Sequence, residues 1–151
     1  MRTVRTIALT ALIVGAMDIT AAITQAISRG ATATRLLQFV ASGLIGQKAF
    51  TGGAATAALG LGLHFVIAFV LVTIFYVASG CIVLIRRYAV VAGLIYGLIV
   101  FGVMNLIVLP LSAAKPRHSL TGDLIQTGIH MFIIGLPTSL LVRRLSGENR
   151  A

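Results

Sequence analysis

Asp123, Gln126, Thr127 and His130 stand at i, i+3, i+4 and i+7, a spacing that puts all four on one side of a helix. A carboxylate, an amide, a hydroxyl and an imidazole in one stripe can relay a proton, hold a cation or hydrogen-bond a polar solute. Leu124, Ile125, Ile129, Met131, Phe132 and Ile133 cover the rest of that helix. Three more polar groups stand isolated in apolar runs: Asp18 in the first, His64 in the second and Asn105 near the end of the third. Asp18, His64, Asn105, Asp123, Gln126 and His130 are therefore the candidate site, an intramembrane polar cluster.

The medium around these groups follows from composition. The chain of 151 residues is 58% hydrophobic and 10% charged, against about a quarter charged in soluble domains. Its mean hydropathy is +1.05. A soluble fold is excluded, and an apolar helix with one polar stripe must turn that stripe toward other helices. Twelve Lys and Arg against three Asp and Glu give a net charge of +9. The basic residues lie between apolar runs, where they set orientation and meet anionic headgroups, so no nucleic-acid site is read. Cys81, the single cysteine, excludes an internal disulfide and a multi-cysteine metal site, and its apolar neighbours predict an inert, buried thiol.

Four apolar runs predict four crossings, at about 7–27, 54–79, 88–111 and 120–142. The first follows Arg2 and Arg5 and carries Ala11, Gly15, Asp18, Ala21, Ala22 and Gln25 on one face, a small-residue packing surface. A signal peptide cleaved after Ala26 is the competing reading, but such a segment has no use for that face. Residues 33–50 have apolar stretches too short to cross and carry Arg35 and Lys48, with Arg29 just before them. They predict an amphipathic helix in the interface rather than a re-entrant segment, ended by Gly52 and Gly53. In the second crossing Ala57, Gly60, Ala68, Leu71 and Phe75 share the His64 face. Arg86 and Arg87 make a basic turn, the third crossing carries Gly93 and Gly97 at GxxxG spacing and stops at Pro110, and Pro137 opens the fourth. A last loop holds Lys115, Pro116, Arg117 and a solvated His118.

Four crossings put both termini on one side. With Arg2, Arg5, Arg86, Arg87, Arg143, Arg144 and Arg150 inside, seven basic residues face the cytoplasm and five, Arg29, Arg35, Lys48, Lys115 and Arg117, face outward. At 1.5 Å per residue Asp18 lies about 16 Å from the inner face, and His64 and His130 about 15 Å from the outer one, near mid-bilayer. Asn105 and Asp123 fall nearer the outer face, which makes a polar track from outside to the middle.

A charge at that depth costs about 2.5–3.5 kcal/mol on insertion scales and needs a partner, water or neutralisation. The bland account is glue: neutral Asp18 hydrogen-bonding an imidazole between helices, about 1 kcal/mol per contact. Passage of a proton or small solute uses the same groups. Haem or metal binding through His64 and His130 lacks any ligand-spacing motif, and no nucleophile elbow, HExxH or phosphate loop points to an enzyme. An accessory subunit holding partners or anionic lipid on its basic turns is the alternative of another class.

The segment 61–144, with Leu63, His64 and Phe65 opening a helix, a basic turn, Leu109, Pro110 and Leu111 closing a Gly-rich helix, and Gly128, Ile129 and His130 running to Arg143 and Arg144, resembles small bacterial inner-membrane proteins of the YagU type, a family of unknown function. The resemblance implies a helical bundle in a bacterial inner membrane and supplies no activity; Asp18 falls outside it. The expected molecule is an all-α integral membrane four-helix bundle with an interfacial amphipathic helix between the first two crossings. The lipid bilayer is its expected partner, with self-association through small-residue faces, and no cofactor, metal or catalytic residue is assigned.

Overall fold

The computed structural model describes residues 1–114 and 119–147. The loop of Lys115, Pro116, Arg117 and His118, and the tail residue Arg150, lie outside the described residues. Among the described residues the chain is all-α, with four helices long and apolar enough to cross a membrane.

Helix α1, Arg2–Ser28, takes in the two arginines before its apolar run. It ends at Gly30, whose φ of 79° lets the chain turn back so that Ala31 N–H reaches the Ala26 carbonyl at 2.9 Å. Helix α2, Ala33–Ile45, starts at Thr32, whose hydroxyl accepts from Arg35 N–H at 3.1 Å. It stops at Gly46, again at positive φ, and a 3-10 turn, Gly46–Thr51, leads into helix α3, Gly53–Cys81. A break at Ile82 and a single helical turn α4, Val83–Arg87, follow. The expected basic turn is thus helical, and its Arg86 guanidinium folds back onto the Ser79 and Gly80 carbonyls, satisfying acceptors that the end of α3 leaves open. Helix α5 is Ala89–Leu111 and helix α6 is Leu120–Leu145, the latter capped by Ser119 Oγ accepting from Gly122 N–H at 3.1 Å.

Helix α1 packs against α3 and α6, and α5 against α6. The GxxxG pair finds its partner there: side chains added at Gly93 or Gly97 would run into the backbone of α6 at Gly135–Leu136 and His130–Met131, and one at Gly135 into α5. A small core of Ala11, Val72, Phe75 and Val142 fills the end of the bundle that carries Arg2, Arg86 and Arg143. Tyr96 ties α5 to α3 there, its hydroxyl donating to the Leu71 carbonyl at 2.6 Å. Outward, Val66, Val70, Ile74 and Val77 are each more than half exposed on α3, an unbroken apolar face that suits lipid and not water.

Two expectations need correction. The segment 33–50 is not one helix; Gly46 breaks it, and α2 is clamped to the first half of α3, where Gly60 leaves room for the Leu37 carbonyl and Gln38 Nε2 donates to the Gly53 carbonyl at 3.1 Å. Cys81, expected to be buried, is exposed. It is the last residue of α3, on the bundle surface, and its apolar neighbours describe a surface facing lipid rather than a packed interior.

Both α5 and α6 loosen in mid-course. Residues Met104–Val108 and His130–Gly135 are π-helical, with Leu109 N–H bonded to Met104 O and Leu136 N–H to Met131 O. A proline follows each stretch, Pro110 and Pro137, so the opening expected at Pro137 lies in the turn before it. Overpacking at the α5–α6 crossing costs about 1–3 kcal/mol, so Gly97→Ala should lower the thermal midpoint in mild detergent, followed by circular dichroism. Gly102→Ala, where an added Cβ meets nothing within 4 Å, should leave it unchanged; equal midpoints would remove the close crossing.

Candidate functional site

Gly15 and His64 meet where α1 crosses α3. With no side chain on Gly15, the Phe65 ring and Ala68 of α3 come directly against α1, and His64 Nε2 donates to the Gly15 carbonyl at 2.9 Å. That bond fixes the tautomer of a neutral imidazole and leaves Nδ1 as a lone pair. Asp18, one turn further along α1, places Oδ2 4.0 Å from this Nδ1. The gap is beyond a hydrogen bond, and a proton on either group would draw the two together. Asp18 Oδ1 is buried and has no hydrogen-bond partner, as has the amide nitrogen of Gln25.

His130 opens the π-helical stretch of α6 and is buried, 7% exposed. Its Nδ1 donates to the Gln126 carbonyl at 2.8 Å, which leaves Nε2 as an acceptor. Phe101 meets the ring edge-on, centroids 5.7 Å apart, and Gly97 lets its backbone sit against α5. Asp18 lies within electrostatic reach of both imidazoles. Asn105, inside the other π-helical stretch, turns its amide back to the Phe101 carbonyl at 2.9 Å.

These groups border one cavity of about 570 Å³. Asp18 enters from α1, His64 from α3, Asn105 from α5, and Asp123, Gln126 and His130 from α6, so all six candidate residues share it. Helix α2 forms another wall with Leu36, Phe39 and Val40. The cavity runs from Arg29, Ser119 and Asp123 at the end of the bundle to Asp18, His64 and His130 at mid-length. Thr127, on the same stripe of α6, instead bonds the Asp123 carbonyl of its own helix at 2.7 Å.

Arg29, Gln25 and the α2 residues were missed as site members. Gln25 and Arg29 follow Asp18 at i+7 and i+11, on the same face, and that spacing was the available signal. For α2 there was none, because the residues with which it lines the cavity, such as Leu36, Phe39 and Val40, read equally well as the apolar face of an interfacial helix.

As a metal or haem centre the donors are poorly arranged. His64 has one ring nitrogen on a carbonyl and the other turned to a carboxylate, so only His130 offers a free nitrogen to the cavity. Among the described residues no three His, Cys, Asp or Glu converge.

The chain matches no protein-family model, curated protein or solved structure against which it was compared. Its function has to be argued from the cavity.

A cavity lined from Ser119 to Met104 and His130 predicts a pattern of hydration. In a Cys81→Ser background, Ser119→Cys and Met104→Cys should react with a membrane-impermeant thiol reagent from one side only. Leu106→Cys, on the outward face at the same level as Met104, and Val72→Cys, in the apolar core, should react at least about tenfold more slowly, since a thiol must be hydrated to ionise. Equal rates at Met104→Cys and Leu106→Cys would contradict the cavity.

Proposed function

We propose that this chain is a non-enzymatic multi-pass protein of a bacterial inner membrane that passes protons or a small solute through its polar cavity. The observation that carries this reading is the convergence of Asp18, His64 and His130, from three helices, on one cavity whose lining extends to Arg29 and Ser119. Glue between helices accounts for the bond from His64 to Gly15 and not for the remaining polar atoms. Here each imidazole bonds a backbone carbonyl, and a carboxylate oxygen is left over.

The seven-to-five distribution of basic residues supports cytoplasmic termini, with the Arg29 and Ser119 end of the cavity outside, and the resemblance to YagU-type proteins supports a bacterial inner membrane. Helix α2 then lies at the outer interface. Its Arg35 guanidinium stacks 3.9 Å above the Phe50 ring, a geometry that holds a cation at headgroup level. Toward the cytoplasm the path is closed by Ala11, Val72, Phe75 and Val142, so passage requires a second arrangement of the helices.

In liposomes Asp18→Asn should reduce flux by about tenfold or more, the effect of losing about 1.4 kcal/mol or more at an obligatory site. His64→Ala and His130→Ala should each reduce flux and shift its pH dependence, while the lipid-facing Val70→Ala should not. Unchanged flux and pH dependence in the Asp18, His64 and His130 variants would overturn the reading.

A further inference from the structure

The chemistry of the cavity narrows what can occupy it. Its volume of about 570 Å³ lies within the roughly 300–1,000 Å³ of small-molecule sites and far exceeds what a bare ion fills. Most of its wall is apolar, with Leu36, Phe39, Met104 and Val108 among the larger side chains.

At mid-length the cavity is lined by hydrogen-bond acceptors. Asp18 is one of them, and its Oδ1 is buried without a hydrogen-bond partner among the described residues. His64 Nε2 donates to the Gly15 carbonyl and His130 Nδ1 to the Gln126 carbonyl, and in that tautomer the second nitrogen of each ring is left as an acceptor. Donors stand nearer the Ser119 end, at Gln25 and Arg29, two and three turns beyond Asp18 on α1. The Arg29 guanidinium lies beside Gly122, next to Asp123.

Charge points the same way. The chain carries twelve basic residues and three acidic ones, yet at the level of the two imidazoles the charged side chain lining the cavity, among the described residues, is the acidic Asp18. A carboxylate flanked by two imidazoles in an apolar chamber complements a ligand with a positive, donor-rich head and an apolar body. An anion would face the Asp18 carboxylate with no donor beside it.

We infer that the cavity binds a small organic ammonium ion, its N–H groups on Asp18 and the imidazole nitrogens and its apolar body against Phe39 and Met104. The inference rests on reading the cavity as the seat of function, and it names the class of solute. Phe39 adds an aromatic wall, which suits a flat hydrocarbon body and tolerates positive charge.

The test is equilibrium dialysis of radiolabelled 2-phenylethylamine at neutral pH against the full chain in zwitterionic phosphatidylcholine nanodiscs, with empty nanodiscs subtracted. Saturable binding to one site per chain is expected. Asp18→Asn should weaken it by about tenfold or more, because the ammonium loses its charged acceptor. Asp18→Glu should restore most of it, Phe39→Ala should weaken it several-fold, and Val70→Ala should leave it unchanged. The Phe39 variant keeps the question open to test even where Asp18→Asn does not fold. Phenethyltrimethylammonium, which keeps the charge and lacks N–H donors, should compete less well than the amine; 2-phenylethanol and phenylacetate should not compete.

Absence of saturable binding, binding unchanged in folded Asp18→Asn, or competition by phenylacetate equal to that of the amine would overturn the inference. Proton flux that depends on Asp18 in a protein that binds no amine would overturn it and leave the passage reading standing. Amine binding abolished by Asp18→Asn in a protein without flux would uphold it and remove passage.

Discussion

Ionisable side chains placed inside an apolar bundle must be solvated by the bundle, and the hydrogen bond from His64 to the Gly15 carbonyl is where this chain meets that requirement across a helix interface. Gly15 contributes twice. Its missing side chain lets Phe65 and Ala68 approach, and its carbonyl, already used within α1, accepts a second proton. The bond sets the register of α1 against α3. Asp18 follows from it, since one helical turn beyond Gly15 is the position that faces the other nitrogen of the same imidazole. A shift of either helix by a turn would leave a buried imidazole and a buried carboxylate without these neighbours, at a cost of about 1–3 kcal/mol for each orphaned group.

The second half of the bundle places its polar groups by another route. In α5 and α6 the pairing changes from i−4 to i−5 over a few residues, then returns just before a proline. A residue without an N–H causes least loss at such a junction, where one carbonyl goes unpaired in any case. Asn105 lies in one of these stretches and His130 opens the other. Gly97 holds the two helices close at His130, so the widened turn of α6 is pressed against α5 and not free to straighten. Local loosening and close packing therefore coincide at the level of the site.

Much of the fold could be read from the order of residues, for a reason specific to apolar helices. In a helix made of Leu, Ile and Val, each polar side chain must turn inward, so Asp18, His64, Asn105, Asp123, Gln126 and His130 pointed to a shared interior before any coordinates were known. The glycines of α5 were legible as a close approach, though not which helix would approach. Helix α2 was readable as a helix and not as a wall of the cavity, because what seats it is the bare backbone of Gly60, twenty-three residues after Leu37, and no periodicity within either segment reports that contact. The π-helical turns left only their prolines as a trace. Cys81 misled because apolar neighbours mean burial in a soluble protein and mean the opposite on the outer face of a bundle suited to lipid.

The two ends of the bundle are built on different chemistry, and this asymmetry limits what the cavity can do. Toward the arginine-rich end, Phe75 packs edge-on against Tyr96 at 4.9 Å and Tyr96 bonds the Leu71 carbonyl, so the space between α1, α3 and α5 is filled. Toward the other end the same helices diverge enough to admit a chamber closed by α2. Asp18 therefore lies at the boundary between the half that holds the cavity and the half that is packed. Under the proposed passage, the apolar contacts of Val72 and Phe75 with Ala11 and Val142 would have to separate. Apolar contacts carry no directional requirement and re-form in more than one register. The packed end therefore leaves the register of α1 on α3 to the hydrogen bond between His64 and Gly15.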